Sequence, residues 1–192
     1  MELIVKGLRK AYDGRTVLAD VTFRAGPGVL CLMAPSGVGK TTLLRILLGL
    51  ENADGGSISG TEGCRWAAVF QEDRLLEQLD ALGNLRFAVG KGFDRPVAAR
   101  LLEELGLEPE DRKPVREYSG GMKRRLALAR ALLAESDALA LDEPFTGLDR
   151  ESRQWALECI RRWTAGKPVL LVTHDESDAA ALGAAVYHLK QA

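Results

Sequence analysis

Three features are scarce in this chain of 192 residues: long apolar runs, an imbalance of charge, and cysteine. No apolar stretch approaches the roughly 20 residues that a membrane-spanning helix needs. The longest candidates, LLRILLGL and PVLLVT, have the length of core elements. The opening stretch carries charge at Glu2 and Lys6, so it does not read as the apolar segment of a signal peptide. We therefore expect any role at a membrane to depend on a partner protein.

The 27 acidic and 26 basic residues leave a net charge of -1, which argues against a dedicated nucleic-acid binder. The cysteines Cys31, Cys64 and Cys159 are widely spaced and form no CxxC pair. Neither a disulfide framework nor a structural zinc site is expected, and the reducing cytoplasm fits best. Hydrophobic residues (46%) and charged residues (28%) occur as in ordinary globular domains, which excludes a disordered or coiled-coil chain.

The order of apolar segments predicts an α/β fold. Residues 2–33 indicate short strands in an antiparallel patch, with turns at Asp13-Gly14 and at Gly26-Pro27-Gly28. Buried strands (VLCLM, WAAVF, ALAL and PVLLVT) then alternate with helices, which predicts a mostly parallel sheet. Residues 72–116 have helical patterns, and we interpret them as a helical lobe inserted into the fold. Ligands of such sheets bind at the carboxyl ends of the strands.

A phosphate-binding loop is predicted at residues 34–42, which read APSGVGKTT and match G-x-x-x-x-G-K-[ST] at all positions but the first. Lys40 can reach the β- and γ-phosphates, and the Thr41 hydroxyl can bind Mg²⁺. Ala34 stands where the pattern has glycine, and it is tolerable only if its backbone stays in a region open to alanine. The candidate phosphate-binding residues are Ser36, Gly37, Val38, Gly39, Lys40, Thr41 and Thr42.

Two acids, Asp142 and Glu143, follow the buried strand ALAL. Asp142 would orient Mg²⁺, usually through water, while Glu143 would polarise an attacking water molecule. General-base assistance of this kind accelerates a reaction by roughly 10²–10⁴-fold.

The segment Tyr118-Ser119-Gly120-Gly121-Met122 resembles the LSGGQ signature of ABC-type ATPases, and the resemblance extends in order over residues 2–190. It implies a P-loop NTPase (RecA-like) core with an N-terminal antiparallel β subdomain. It also implies one ABC ATPase domain over residues 1–192, with 72–116 as its inserted α-helical subdomain. In this family the residue at Tyr12 stacks on adenine, a contact worth about 1–3 kcal/mol.

The same resemblance gives roles to three more residues. Gln71, in the Q-loop, would coordinate the metal or the attacking water. His174, in VTHD, would bond the γ-phosphate and steady Glu143. Asp149 belongs to the D-loop Gly147-Leu148-Asp149.

The signature predicts a second anion site. Ser119 is a good N-cap for the helix that follows, and Gly120 and Gly121 expose backbone N–H groups at its start. In the family these groups contact the γ-phosphate bound by the other subunit, which implies a head-to-tail homodimer. Tyr118 and Met122 stand where the family signature has leucine and glutamine. Neither substitution changes the Ser-Gly-Gly atoms that bind phosphate. We interpret the basic run 123–125 (Lys-Arg-Arg) as a solvated helix face.

The resemblance implies the ATP-hydrolysing subunit of an ABC transporter, using ATP and Mg²⁺ and driving a separate transmembrane permease. Such a subunit is cytoplasmic and peripheral on the inner face of the cell membrane, with no nucleic-acid partner. VFQEDRLL and SGGM look most like the nitrate/sulfonate/taurine importer branch. The chain ends soon after His174, so we expect no regulatory C-terminal extension.

Two alternatives are open at the level of sequence. One is a non-transport ABC ATPase acting in cell division, translation or repair. The other is a module that binds nucleotide without hydrolysing it, which the presence of Glu143 and His174 disfavours.

Overall fold

The computed structural model describes residues 2–35 and 37–190. The strands are β1 (Leu3–Tyr12), β2 (Arg15–Ala25), β3 (Gly28–Met33), β4 (Gly55–Ser59), β5 (Trp66–Val69), β6 (Ala138–Asp142), β7 (Pro168–Val172) and β8 (Ala185–His188). The α-helices are α1 (Lys40–Leu47), α2 (Ala81–Val89), α3 (Arg95–Glu104), α4 (Gly120–Leu133), α5 (Arg150–Trp163) and α6 (Glu176–Ala181). Short 3₁₀ turns lie at Gly90–Gly92 and Val115–Glu117.

The strands form two sheets. The first has the order β2-β1-β4 and is antiparallel. The second has the order β5-β6-β7-β3-β8, and β3 pairs in parallel with both β7 and β8. Every residue of β6 and β7 is buried, as expected for strands that are covered on both faces. The predicted antiparallel patch and the predicted parallel sheet are both confirmed.

Two strands are present that the sequence pattern did not indicate. β4 has the sequence GGSIS, and its pairing with β1 places Ile58 opposite Val5. β8 pairs with β3, with Val186 opposite Cys31. Each is an edge strand whose backbone bonds come from its neighbour, so neither needs a strong apolar alternation of its own. The strand WAAVF ends at Val69, earlier than the predicted end at Gln71.

The chain divides into two compact units. The sheet unit contains the described residues of 1–66, 136–142 and 166–192. The helical unit contains residues 67–135 and 143–165. Each unit has its own leucine-rich core, and burying one such side chain contributes about 1.5–3 kcal/mol. Fully buried examples are Leu32, Leu43 and Leu44 in the sheet unit and Leu101, Leu126 and Leu128 in the helical unit.

The structure also bears on two exclusions made from the sequence. No disulfide bond joins Cys31, Cys64 and Cys159 in the described part of the chain. Within residues 2–35 and 37–190, none of the helices combines the length and the apolar character needed to cross a bilayer.

Candidate functional site

The P-loop of the sheet unit connects the end of β3 to the start of α1. Gly39 is the N-cap of α1 and has a φ of 89°, in the left-handed region. A Cβ atom at this position would lie 2.7 Å from Val17 Cγ1 and 2.9 Å from Leu18 Cδ2. Any residue other than glycine would have to displace the Val17 and Leu18 side chains of β2. Because Gly39 has no side chain to cap the helix, the N–H groups of the first turn remain for a ligand.

Lys40 and Ala34 lie at the two ends of the loop and are in contact. Lys40 Nζ donates hydrogen bonds to the carbonyl oxygens of Ala34 (2.7 Å) and Pro35 (3.3 Å). Ala34 is not among the non-glycine residues that have positive φ in the described part of the chain. Its backbone therefore lies in a region open to alanine, which meets the requirement set from the sequence. Ser36 lies outside the described residues.

Thr41 and Asp142 meet at the carboxyl end of β6. The Thr41 hydroxyl donates a hydrogen bond of 2.9 Å to Asp142 Oδ2, and the Asp142 side chain is fully buried. Mg²⁺ prefers oxygen ligands and is commonly held by one or two carboxylates together with phosphates of the substrate. Among the residues described, no cluster of three or more His, Cys, Asp or Glu side chains could hold a metal by itself. This hydroxyl–carboxylate pair fits an ion that takes its remaining ligands from a phosphate and water.

Tyr12, the predicted adenine-stacking residue, ends β1 and has 41% of its surface exposed. Its hydroxyl donates a hydrogen bond to Glu51, and Lys10 Nζ lies 5.2 Å from the centroid of its ring. The bond to the Glu51 carboxylate and partial desolvation raise the pKa of Tyr12, whereas the Thr42 hydroxyl opposes the shift. Tyr12 and Thr42 are thus neighbours, as a nucleotide site requires.

His174 lies beyond the end of β7, at the sheet edge where Asp142 ends β6. The two strands are parallel, with Asp142 opposite Val172. His174 is exposed and stands directly before Asp175, the N-cap of α6. The turn is held by the Thr173 hydroxyl, which donates a 3.0 Å hydrogen bond to Asp178 Oδ2.

The signature begins α4 in the helical unit. Ser119 Oγ accepts a 3.2 Å hydrogen bond from the Met122 N–H, which confirms the predicted N-cap. A Cβ atom on Gly121 would lie 3.6 Å from the Gly147 carbonyl oxygen, so the signature and residues 147–149 are close neighbours. Asp149 caps α5 by accepting a 2.8 Å hydrogen bond from the Ser152 N–H. This bond is the main reason that the pKa of Asp149 is lowered.

Gln71 and Glu143 are also in the helical unit. Gln71 is exposed, just after β5. Glu143 is half-buried and has a φ of 50°, an uncommon conformation for a residue with a Cβ atom. Its carbonyl oxygen accepts hydrogen bonds from Arg124 Nη2 (3.1 Å) and from the Thr146 N–H (3.2 Å).

Residues 18–146 match the family model described as ABC transporter. The chain is 41% identical over 187 residues to the aliphatic sulfonates import ATP-binding protein SsuB 2 of Burkholderia lata. That alignment covers 91% of this chain and 68% of the relative. This chain is also 41% identical over 183 residues to the aliphatic sulfonates import ATP-binding protein SsuB 1 of Rhodococcus jostii, in an alignment that covers 92% of this chain and 74% of the relative.

The chain belongs to the ABC transporter family. It is the ATP-binding subunit of an ABC transporter, and it is an ATPase. A solved structure titled as the ATP binding subunit of an ABC transporter matches with a TM-score of 0.86 at 29% identity, over 100% of this chain and 87% of that one. The P-loop NTPase fold is therefore confirmed, as is the resemblance to the sulfonate importer branch. These relatives give no support to the non-transport alternative.

The interpretation of the basic run 123–125 as a solvated face is wrong for its middle residue. Arg124 is only 5% exposed. Its neighbour Lys123 pairs with Glu77 at 3.2 Å. Arg125 Nη1 donates to the carbonyl oxygens of Leu105 and Gly106, both at 2.8 Å. This ABC ATPase thus uses the run to bind the backbone and side chains of its own helical unit, which the charges alone do not reveal.

Glu51 is a second residue near the site that the sequence did not indicate. It bonds Tyr12 and lies 3.5 Å from Lys10 Nζ. Glu51 follows α1 in a loop that matches no motif, so only its position in the fold could identify it.

Proposed function

We propose that this ABC ATPase binds Mg²⁺ and ATP at the P-loop and hydrolyses the γ-phosphate bond with Glu143. The contact between Thr41 and Asp142 carries the proposal, because it joins the P-loop helix to the end of β6 through two oxygen ligands suited to Mg²⁺. Gly37, Val38, Gly39, Lys40, Thr41 and Thr42, together with the undescribed Ser36, would surround the phosphates. Tyr12 would stack on the adenine.

Each remaining residue has a separate part in the proposed reaction. Glu143 accepts the proton of the attacking water, and Gln71 positions that water or the metal. His174 donates a hydrogen bond to the γ-phosphate. Thr41 and Asp142 would hold Mg²⁺, which would supply positive charge to offset the charge on the phosphate oxygens.

The signature supports a head-to-tail homodimer as the active form. Ser119, Gly120 and Gly121 form the start of a 14-residue helix, where N–H groups and the helix dipole favour an anion. In the proposed dimer these groups contact the γ-phosphate held by the partner's P-loop, with Asp149 beside them. The chain carries one copy of each motif, so two copies of the chain are needed to form two such sites.

The names of the relatives support an importer of organic sulfonates. The Burkholderia lata and Rhodococcus jostii relatives, each 41% identical to this chain, are named for aliphatic sulfonates. The sulfate/thiosulfate import ATP-binding protein CysA of Xanthomonas campestris is 38% identical, in an alignment that covers 93% of this chain and 58% of CysA. We infer that a separate transmembrane permease holds the ATPase at the cytoplasmic face of the membrane.

We also propose one ABC ATPase domain over residues 1–192, in which 72–116, containing α2 and α3, is the inserted helical subdomain.

The Glu143→Gln variant tests the catalytic role and the partners together. Hydrolysis should fall by at least about 100-fold, since the general base is lost while the shape of the side chain is kept. With ATP and Mg²⁺ present, the variant should remain as a dimer, seen by size-exclusion chromatography with light scattering. Tagged and captured from detergent-solubilised native membranes, it should retain a polytopic permease at near-equal amount by mass spectrometry.

Glu108→Gln provides the matched control, because Glu108 is an exposed glutamate of the helical unit. It should hydrolyse ATP at the wild-type rate and show no trapped dimer. If Glu143→Gln behaves in the same way as Glu108→Gln, the assignment of Glu143 is wrong. If only ribosomal, division or repair proteins are captured, the proposed permease partner is wrong.

A further inference from the structure

Two arginines of α4 hold the backbone on either side of Gln71. Arg124 Nη1 donates to the Phe70 carbonyl oxygen (2.6 Å) and to Asp73 Oδ1 (3.0 Å). Arg130 donates to the carbonyl oxygens of Arg74 (2.6 Å) and Asp73 (2.8 Å). The segment 70–74 is thus bound to α4 by four hydrogen bonds, all of them from guanidinium groups.

Arg124 also reaches Glu143. Its Nη2 donates a 3.1 Å hydrogen bond to the Glu143 carbonyl oxygen. The φ of 50° at Glu143 is costly for a residue with a Cβ atom, and such conformations persist only where surrounding groups hold them. One guanidinium therefore contacts both the segment that contains Gln71 and the residue whose backbone is strained.

The burial of Arg124 makes this arrangement specific. The residue is 5% exposed, and a charge that is removed from water has to be compensated by hydrogen bonds and an opposite charge. Asp73 supplies the charge, and the carbonyl oxygens of Phe70 and Glu143 take the remaining bonds. A planar guanidinium can donate in several directions at once, which the single ammonium of lysine cannot reproduce in the same geometry.

We propose that Arg124 is a positioning residue for hydrolysis, which fixes Glu143 and Gln71 relative to each other and to the signature helix. The inference rests on the proposed catalytic roles of those two residues. Arg124 is on the same helix as Ser119, which caps the N-terminus of α4. A displacement of that N-terminus on contact with a phosphate is transmitted through the guanidinium to the backbone of Glu143. Arg124 itself does not touch the reacting atoms.

Steady-state kinetics of Arg124→Lys and Arg124→Gln test the proposal. We expect kcat to fall by about 10- to 100-fold, because small displacements of a catalytic group have effects of that size. The glutamine variant should lose more activity than the lysine variant, which keeps the charge next to Asp73. The KM for ATP and the affinity for the nucleotide should stay within about twofold of wild type, since neither is set by the position of Glu143.

Glu104→Gln is the matched control for a loss of structure alone. Glu104 is also in the helical unit and accepts bonds from Trp163 Nε1 (2.9 Å) and Arg162 Nη1 (2.7 Å), neither of which belongs to residues 70–74, 119–121 or 143. This variant should unfold at a lower temperature while retaining its kcat. Thermal unfolding of every variant is followed by circular dichroism, and Arg124→Lys decides the question if Arg124→Gln does not fold.

The proposal is overturned if folded Arg124→Lys keeps the wild-type kcat, or if its kcat falls no further than that of Glu104→Gln at a similar unfolding temperature. Glu143→Gln, measured in parallel, distinguishes a failure of the positioning role of Arg124 from a failure of the proposed catalytic role of Glu143. If it is inactive while Arg124→Lys is normal, only the positioning role is wrong. If it remains active, the proposed function is wrong and the positioning role is overturned with it.

Discussion

The N-termini of α1 and α4 are both candidate anion sites, but they are constructed in different ways. α1 begins after Gly39, whose left-handed φ of 89° and lack of a side chain leave the first turn uncapped. α4 begins after Ser119, which has an extended backbone and whose hydroxyl accepts the Met122 N–H. The P-loop therefore depends on the absence of a side chain, whereas the signature depends on the presence of one.

The two helices also differ in what holds them in place. The P-loop end of α1 lies against β2, where Val17 and Leu18 leave no room for a Cβ atom on Gly39. α4 is held by guanidinium groups, since Arg124, Arg125 and Arg130 all donate to backbone carbonyl oxygens of the helical unit. Steric fit thus defines the P-loop site, whereas directional hydrogen bonds define the signature site. We expect the two sites to respond differently to small substitutions.

The largest effect is expected for Gly39→Ala. Its Cβ atom would overlap the side chains of Val17 and Leu18, and alanine is also disfavoured at this φ. The free energy of unfolding should fall by about 2–4 kcal/mol. ATP affinity should fall by at least about tenfold, because the loop has to move. Urea unfolding and titration with a fluorescent ATP analogue measure the two quantities.

Gly37→Ala is the control for backbone strain alone. Gly37 has a φ of 82°, but nothing lies within 4 Å of its added Cβ atom. Its unfolding free energy should fall by only about 1–2 kcal/mol. If Gly39→Ala and Gly37→Ala lost the same unfolding free energy, the contact of Gly39 with the side chains of β2 would not be what fixes the conformation of the P-loop.

Two substitutions of Ser119 separate capping from phosphate contact. Ser119→Ala removes the acceptor for the Met122 N–H and should lower the unfolding free energy by about 1 kcal/mol. Ser119→Asp keeps a good cap and should retain wild-type stability, but its charge should repel the γ-phosphate and abolish hydrolysis. Thermal unfolding and ATPase assays on both variants check this. An active Ser119→Asp enzyme would contradict the role of the signature as an anion site.

The smallest effect is expected for Ala34→Gly. Ala34 adopts a backbone conformation that alanine tolerates, and its carbonyl oxygen accepts the 2.7 Å bond from Lys40 Nζ in either case. ATP affinity should therefore change by less than about threefold, or 0.7 kcal/mol. Isothermal titration calorimetry measures this affinity. If Ala34→Gly bound ATP much more tightly than wild type, the methyl group of Ala34 would be shown to weaken ATP binding by the P-loop.

Residues whose roles follow from local sequence were the predictable ones. The cap at Ser119 and the strand–loop–helix order around Lys40 could be read from the sequence, because both depend on neighbours within a few residues. Asp142 could be placed at the end of a buried strand for the same reason, although its bond to Thr41 spans 101 positions.

Features that depend on distant partners could not be predicted. The sequence does not distinguish Arg124 from its two basic neighbours, since its acceptors are 19 to 54 residues away. β4 contains two glycines and one apolar residue, and only its pairing with β1 makes it a strand. The left-handed backbone of Glu143 has no sequence signal either, because glutamate is not a residue that favours positive φ.

In the proposed dimer, the P-loop of one chain and the signature of another act on the same ATP. Mixing Lys40→Ala with Ser119→Asp tests this arrangement, because each variant is expected to be inactive alone. Random pairing places one intact P-loop opposite one intact signature in half of the dimers. Because each mixed dimer has one of its two sites intact, ATPase activity should return on mixing to roughly a quarter of the wild-type rate. A mixture that stays inactive, although the two chains are shown to form mixed dimers, would contradict it.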